Sequence, residues 1–158
     1  MEKLLADQYL SWDPNEQTRD ELVQYLEEGL QQGKKEERLK QLFGQRITFG
    51  TAGLRAAMGP GYSRMNDLVV LQTSQGLISY LSNTLGDEVA KERGIVIGYD
   101  HRSQRSLSSL GFARTTAAVF ISKGYKIYLL ENFVPTPFVA FATTYLNCAA
   151  GNFLLIYI

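Results

Sequence analysis

The sequence predicts an α/β fold: a mostly parallel sheet with helices on both faces, preceded by a short helical N-terminal arm. Three observations carry this reading. Residues 1–45 are polar with helical spacing of their apolar positions. From residue 46 onward, short apolar runs of strand length alternate with longer helical runs. One of those short runs, "GIVIGYD" (94–100), is dense in β-branched residues, as in a strand buried on both faces. Strands separated by single helices require crossover connections, and crossovers make parallel neighbours.

The elements follow in order. Thr18 and Glu21 fit a capping box, after which Leu22, Val23, Leu26 and Leu30 share a helix face, with Gly29 or Gly33 as the stop. "KKEERLKQLFG" gives a second short helix ending at Gly44. These two form the arm, residues 1–45; residues 46–158 are expected to form the α/β domain. "RITF" (46–49) reads as its first strand. Asn66 and Asp67 cap a long helix that stops at Gly86. "GIVIGYD" is the next strand, "HRSQRS" a polar loop, and "LSSLGFARTTAAVFISKG" a helix closed by Gly124. "YKIYLL" is a strand, "VPTP" an extended turn enforced by its prolines, and "FVAFATTYL" a helix. "NFLLIYI" (152–158) is expected to pair as the last strand; left unpaired, so apolar a segment would be aggregation-prone.

A chain of 158 residues supports about one core. Its 16 basic and 16 acidic side chains cancel, so no nucleic-acid partner is expected. Cys148 is the sole cysteine and reads as a small buried hydrophobe, which excludes an internal disulfide. "MEKLLADQYL" is neither a secretory signal nor a membrane span, so a cytoplasmic protein without a membrane partner is expected.

The stretch richest in chemical information is "FGTAGLRAAMGPG" (49–61), with four glycines around the single cation Arg55. Glycines let backbone N–H groups approach a ligand closely, and a guanidinium offers a fork of donors to phosphate or carboxylate. The stretch alone fits equally a glycine-rich turn with a solvated arginine. Ligands of parallel sheets bind beyond the carboxyl ends of the strands. "GTAGLR", "DHRSQRS" and "FVPTP" all fall at such ends, so Arg55 and Arg102 are expected to share a rim suited to a dianion. Asp100 is either the partner of one of these arginines or a cap for its own loop. His101, with no paired carboxylate in the pattern, reads as a solvated side chain. Metal-ligand spacing, a Walker loop and a nucleophile elbow are all missing from the sequence.

"FGTAGLR", "GIVIGYDHR" and "VPTP", in this order and separated by single helices, resemble the first domain of the α-D-phosphohexomutase superfamily. The longer stretch "RITFGTAGLRAAMGPGYSRMNDLVVLQTSQG" is most similar to its phosphoglucomutase and phosphopentomutase branch, which includes glucose-1,6-bisphosphate synthase. The resemblance runs from Trp12 to Gly151. It implies an isomerase of carbohydrate and glucose metabolism, a four-domain phosphomutase that moves a phosphoryl group between positions of a hexose or pentose phosphate. Transfer in that family passes through a phosphoserine and a bisphosphate intermediate. By this resemblance Arg55 matches the arginine that contacts the transferring phosphate. Thr51 and Gly53 of the same loop, with Arg102, are the further phosphate-binding candidates.

The resemblance also implies a T-A-S-H-N-P serine loop that binds Mg²⁺ through its phosphate, and an N-G-Y-K lysine for proton transfer. Neither motif occurs in these 158 residues, and no serine follows Ser122. The expectation is therefore a shortened member that is inactive alone, with Mg²⁺ in the family but no cofactor for this chain. A sugar phosphate or sugar bisphosphate is its expected small-molecule partner. Self-association or marginal stability is expected of the surface that further domains would cover. The alternatives are a non-catalytic module binding a sugar phosphate or a partner domain, and a non-functional isoform or gene-model fragment.

Overall fold

The computed structural model describes residues 1–50 and 53–154, with residues 49, 50 and 53 at the level of the backbone. It divides into two compact units, one of Met1–Val69 with Gln104–Leu107, the other of Val70–Ser103 with residues from Ser108 onward.

The first unit opens with three helices: α1 (Glu2–Trp12), α2 (Glu16–Gln31) and α3 (Lys35–Phe43). The sequence reading had separated two. It missed α1 because that helix buries little more than Ala6 and Tyr9, too few positions to stamp an apolar period. The expected capping box at Thr18 and Glu21 is also corrected. Asn15 is the cap of α2, accepting from Gln17 N at 3.1 Å, and Thr18 lies a turn inside, fully buried, with its hydroxyl bonded to the Asp13 carboxylate. Tyr9, Phe43 and Tyr62 pack edge to face with centroids 5.6–5.8 Å apart, at the centre of a cluster that includes Leu22, Leu39, Leu42 and Leu68.

"RITF" does not form a strand of the parallel sheet. Residues Arg46–Thr48 lack strand structure, and β1 (Phe49–Gly50) pairs antiparallel with β2 (Gly53–Leu54). The stretch has other partners: the Arg46 guanidinium lies over the Tyr62 ring at 4.3 Å, and Ile47 N donates to Tyr62 O at 2.9 Å.

α4 (Asp67–Leu85) starts in the first unit and continues into the second. There it is followed by α5 (Asp87–Arg93), β3 (Ile95–Tyr99), α6 (Ser109–Ser122), β6 (Ile127–Leu129), α7 (Thr136–Tyr145) and β7 (Ala150–Leu154), while between β3 and α6 the small hairpin of β4 (Ser103–Gln104) and β5 (Leu107–Ser108) carries Gln104–Leu107, which belong to the first unit. The strands β6, β3 and β7 form a parallel sheet in that order. The chain crosses from β3 to β6 through α6, then back past β3 to β7 through α7. Two right-handed crossovers in opposite directions place α6 and α7 on opposite faces. All five residues of β3 are buried, as a central strand requires. Val96 faces Val139, Ala142 and Cys148, so by alternation Ile95 and Ile97 turn to the other face. Gly98 is demanded by packing: a Cβ there would stand 2.3 Å from Val139 Cγ2, so α7 can rest on the sheet only over a bare backbone. "AGNFL", the observed β7, covers the described part of the predicted last strand and pairs along its length with β3. Among the described residues no helix is long and apolar enough to cross a membrane.

Candidate functional site

Arg55 follows directly on β2. Its side chain is exposed and makes no ion pair or hydrogen bond among the described residues. Gly53 lies opposite Gly50 in the β1–β2 pair. Thr51 lies outside the described residues.

Beyond Arg55 the chain doubles back. Met58 bridges Met65, Met65 N donates to Ala57 O at 3.0 Å, and Gly59 N donates to Met65 O at 3.1 Å. The fully buried Asn66 fixes this turn, its amide donating to Gly59 O at 2.9 Å and Gly61 O at 2.8 Å. Its oxygen accepts from Val69 N at 3.0 Å, the helix cap that the sequence predicts. Its hold on the glycine loop had no signal in the sequence, since a cap motif says nothing of what the other half of the amide does. Ser63 fastens the loop to the end of α3, its N–H donating to Leu42 O and its hydroxyl to Gln41 O. Burial pushes the Tyr62 hydroxyl up from its ordinary value, opposed by the nearby Arg46.

A part-buried polar pair joins the start of α2 to the start of α4. Asn15 Nδ2 donates to Asp67 Oδ2 at 2.7 Å. Burial raises the Asp67 carboxyl above the usual carboxylate range, the Asn15 bond opposing and the Asp13 charge reinforcing the shift.

In the second unit, Arg102 stands at the carboxyl end of the central strand. Asp100 takes both roles the sequence allowed it. Its Oδ1 accepts from Arg102 N at 3.1 Å and from the buried Ser109 hydroxyl at 2.5 Å, while Oδ2 sits 3.2 Å from Arg102 Nε as an ion pair without hydrogen-bond geometry. Ser109 N in turn donates to Arg102 O at 3.0 Å, closing the loop onto the start of α6. The other guanidinium nitrogens of Arg102 have no partner among the described residues. Ser109 was not singled out by the sequence, where it is one of three serines in "LSSL" and its neighbour. His101 is exposed, its ring in an edge-to-face arrangement with Phe133 at 6.2 Å. The third loop is braced by Val134 N on Tyr99 O at 3.2 Å and by Tyr99 OH on Glu131 O at 2.7 Å. Cys148 is buried, as expected, and burial raises its thiol above the ordinary value. Arg55 belongs to the first unit and Arg102 to the second.

Among the described residues no group of three or more His, Cys, Asp and Glu side chains converges as metal ligands.

Residues 46–155 match the family described as phosphoglucomutase/phosphomannomutase, α/β/α domain I. The chain is 47% identical over 146 residues to a phosphopentomutase of Homo sapiens, a match covering 91% of this chain and 23% of that protein. It is 42% identical over 146 residues to a glucose 1,6-bisphosphate synthase of Mus musculus, covering 91% of this chain and 22% of that protein. It is 44% identical over 147 residues to a probable phosphoribomutase of Schizosaccharomyces pombe, covering 93% and 23% respectively. The chain thus spans under a quarter of the length of these curated relatives. No solved structure matches it. With 110 of its 158 residues inside the family match, and with relatives named as mutases and a bisphosphate synthase along most of its length, the chain belongs to the phosphoglucomutase/phosphomannomutase family of sugar-phosphate mutases, of which it carries the α/β/α domain I.

Proposed function

We propose that this chain is the phosphate-facing first domain of a phosphoglucomutase- or phosphopentomutase-type machine, and that Arg55 binds a phosphate of a sugar phosphate or sugar bisphosphate. The observation that carries the proposal is the state of Arg55, an exposed guanidinium without a partner among the described residues, on the loop where the family match begins. An unpaired arginine fork is preorganised for a phosphate and gives up no existing ion pair on binding. Thr51 and Gly53 of the same loop are the further candidates for contacting that anion. In the second unit, Arg102 is proposed separately as a phosphate contact, its Nε held by Asp100 while its outer nitrogens stay available.

In phosphoryl transfer the protein's task is positioning and neutralising charge that spreads over the transferring oxygens. Arg55 and Arg102 can do that part. Mg²⁺ serves the family's chemistry through the phosphoserine that the resemblance implies, and no step is assigned to it on this chain. The 158-residue polypeptide, which has no serine after Ser122, is accordingly a binding platform without turnover of its own.

Isothermal titration of the purified chain with glucose 1,6-bisphosphate tests this. Saturable binding weakened about 10- to 100-fold by Arg55→Ala is expected, the size of one charge-assisted contact. No heat at millimolar ligand would remove the proposal. A coupled assay with glucose 1-phosphate and the bisphosphate should show no turnover, and turnover lost in Arg55→Ala would defeat the claim of inactivity.

A further inference from the structure

The first unit contains a pocket of about 230 Å³ that Arg55 does not line. Its lining combines the apolar Leu42 and Met58 and the ring of Tyr25 with the charged Glu21, Arg64 and Arg105. Two features there lack a structural explanation. Arg64 is half-buried, yet its guanidinium has no hydrogen-bond or ion-pair partner among the described residues. Its nitrogens stay open to solvent while its stem is partly covered, so the fork of donors can take an anion without giving up an existing pair. Arg105 stands at the tip of the β4–β5 hairpin with φ of 52°, a conformation that favours glycine and costs an ordinary side chain about 1 kcal/mol. Glycine would serve the turn better; the arginine instead delivers a second guanidinium to the pocket.

We propose that this pocket binds a small organic phosphate, its phosphate between Arg64 and Arg105 and its apolar or ring-shaped body against Tyr25, Leu42 and Met58. Glu21 holds Arg105 at 3.1 Å in the free protein. The Arg105 side chain is 69% exposed, so this ion pair is weak and an incoming phosphate displaces it readily. Two cations and one carboxylate leave a net charge of +1, enough for a phosphate monoester and too little for a polyanion. The site is independent of the phosphate role proposed for Arg55.

The test is a titration of the 158-residue chain, followed by backbone and guanidinium NMR resonances, with phenyl phosphate, inorganic phosphate and phenol. Phenyl phosphate should bind saturably and shift Tyr25, Met58, Arg64 and Arg105; inorganic phosphate should bind the same residues more weakly, and phenol not at all. Arg64→Gln should weaken phenyl phosphate at least tenfold. Arg105→Gly is the variant that keeps the test decisive, since positive φ favours glycine: it should fold at least as stably and bind at least threefold more weakly. Binding that survives both substitutions, phenol binding as well as its phosphate ester, or no shift at these residues would overturn the proposal. Arg55→Ala should leave the shifts of Tyr25, Met58, Arg64 and Arg105 unchanged. Phenyl phosphate binding lost in Arg55→Ala and retained in Arg64→Gln would assign the ligand to the Arg55 loop, sinking this site while leaving that one standing.

Discussion

The Asn66 side-chain amide donates to the Gly61 carbonyl at 2.8 Å, while the oxygen of the same group caps α4 through Val69 N at 3.0 Å. One buried residue therefore sets both the shape of the glycine loop after Arg55 and the start of the helix behind it. Removing it leaves the Gly59 and Gly61 carbonyls without their amide donor and the helix without its cap. Asn66→Ala should cost about 2–4 kcal/mol in urea unfolding with the slope unchanged. Asn66→Asp keeps the cap but sets a carboxylate against two carbonyls. If it proves as stable as the parent, the hold on the loop is unimportant.

Gly61 is where that loop touches α3. Its φ of 102° is strained for any other residue, and a Cβ would stand 2.9 Å from Leu42 Cβ and 3.0 Å from Leu42 O. Gly59 also has positive φ, 149°, but open space around it. Gly61→Ala is therefore expected to lose about 2–4 kcal/mol and Gly59→Ala about 1 kcal/mol. Equal losses in thermal or urea unfolding would mean that the contact with Leu42 relaxes freely.

Much of the second unit was legible because its signals are local and redundant. β3, α6, β6 and α7 each pair an apolar run of characteristic length with a glycine or proline boundary, and the central strand advertises itself by being apolar on both faces. The first unit was read less well. Its cap moved from Thr18 to Asn15 because two good capping residues lie three apart, and only the buried partner Asp13 decides which is inside the helix. "RITF" has strand composition but is taken up by contacts with Tyr62, sixteen residues from Arg46. At the candidate site, Asp100 as the partner of Arg102 and as the cap of its own loop was legible from loop position. Asn66 as a clamp, Ser109 and the Arg64–Arg105 pocket were not, because each depends on which groups tertiary folding brings together.

Asp67 gives the first unit a pH dependence of defined sign. Burial raises its folded-state pKa above the model-peptide value of 3.8, so the folded protein binds that proton more tightly than the unfolded chain. The protonated form thus favours the fold at low pH, and this contribution is lost as pH rises from 3.8 through the folded value. Asp67→Asn, whose amide oxygen can still accept from Asn15, removes the ionisation. The stability of the variant relative to the parent should increase between pH 3.5 and pH 7. A constant or falling difference across a urea series at those pH values would contradict the burial argument.

Cys148 should be chemically silent in the folded protein. It is 3% exposed, and burial holds its thiol above the ordinary value, so both access and thiolate fraction are low. Its reaction with an aromatic disulfide reagent should run at least tenfold slower in buffer than in denaturing urea. Equal rates would show that the face of the sheet under α7 opens readily.

Asp100 is a positioning residue for Arg102, and its effects on stability and on arginine orientation can be separated. Its carboxylate accepts from the fully buried Ser109 hydroxyl and from Arg102 N, and its second oxygen fixes Arg102 Nε at 3.2 Å. Ser109→Ala removes one donor from a largely buried carboxylate and should cost about 1–2 kcal/mol, with Arg102 left in place by the remaining charge. Asp100→Asn keeps an oxygen for Ser109 and removes the charge that orients the guanidinium. Its stability loss should therefore be similar, but the Arg102 Nε–H resonance should move toward the position of a solvated arginine, as it should not in Ser109→Ala. If both variants leave that resonance where it is, Arg102 is oriented by something other than Asp100, and the two-point hold on the loop is wrong.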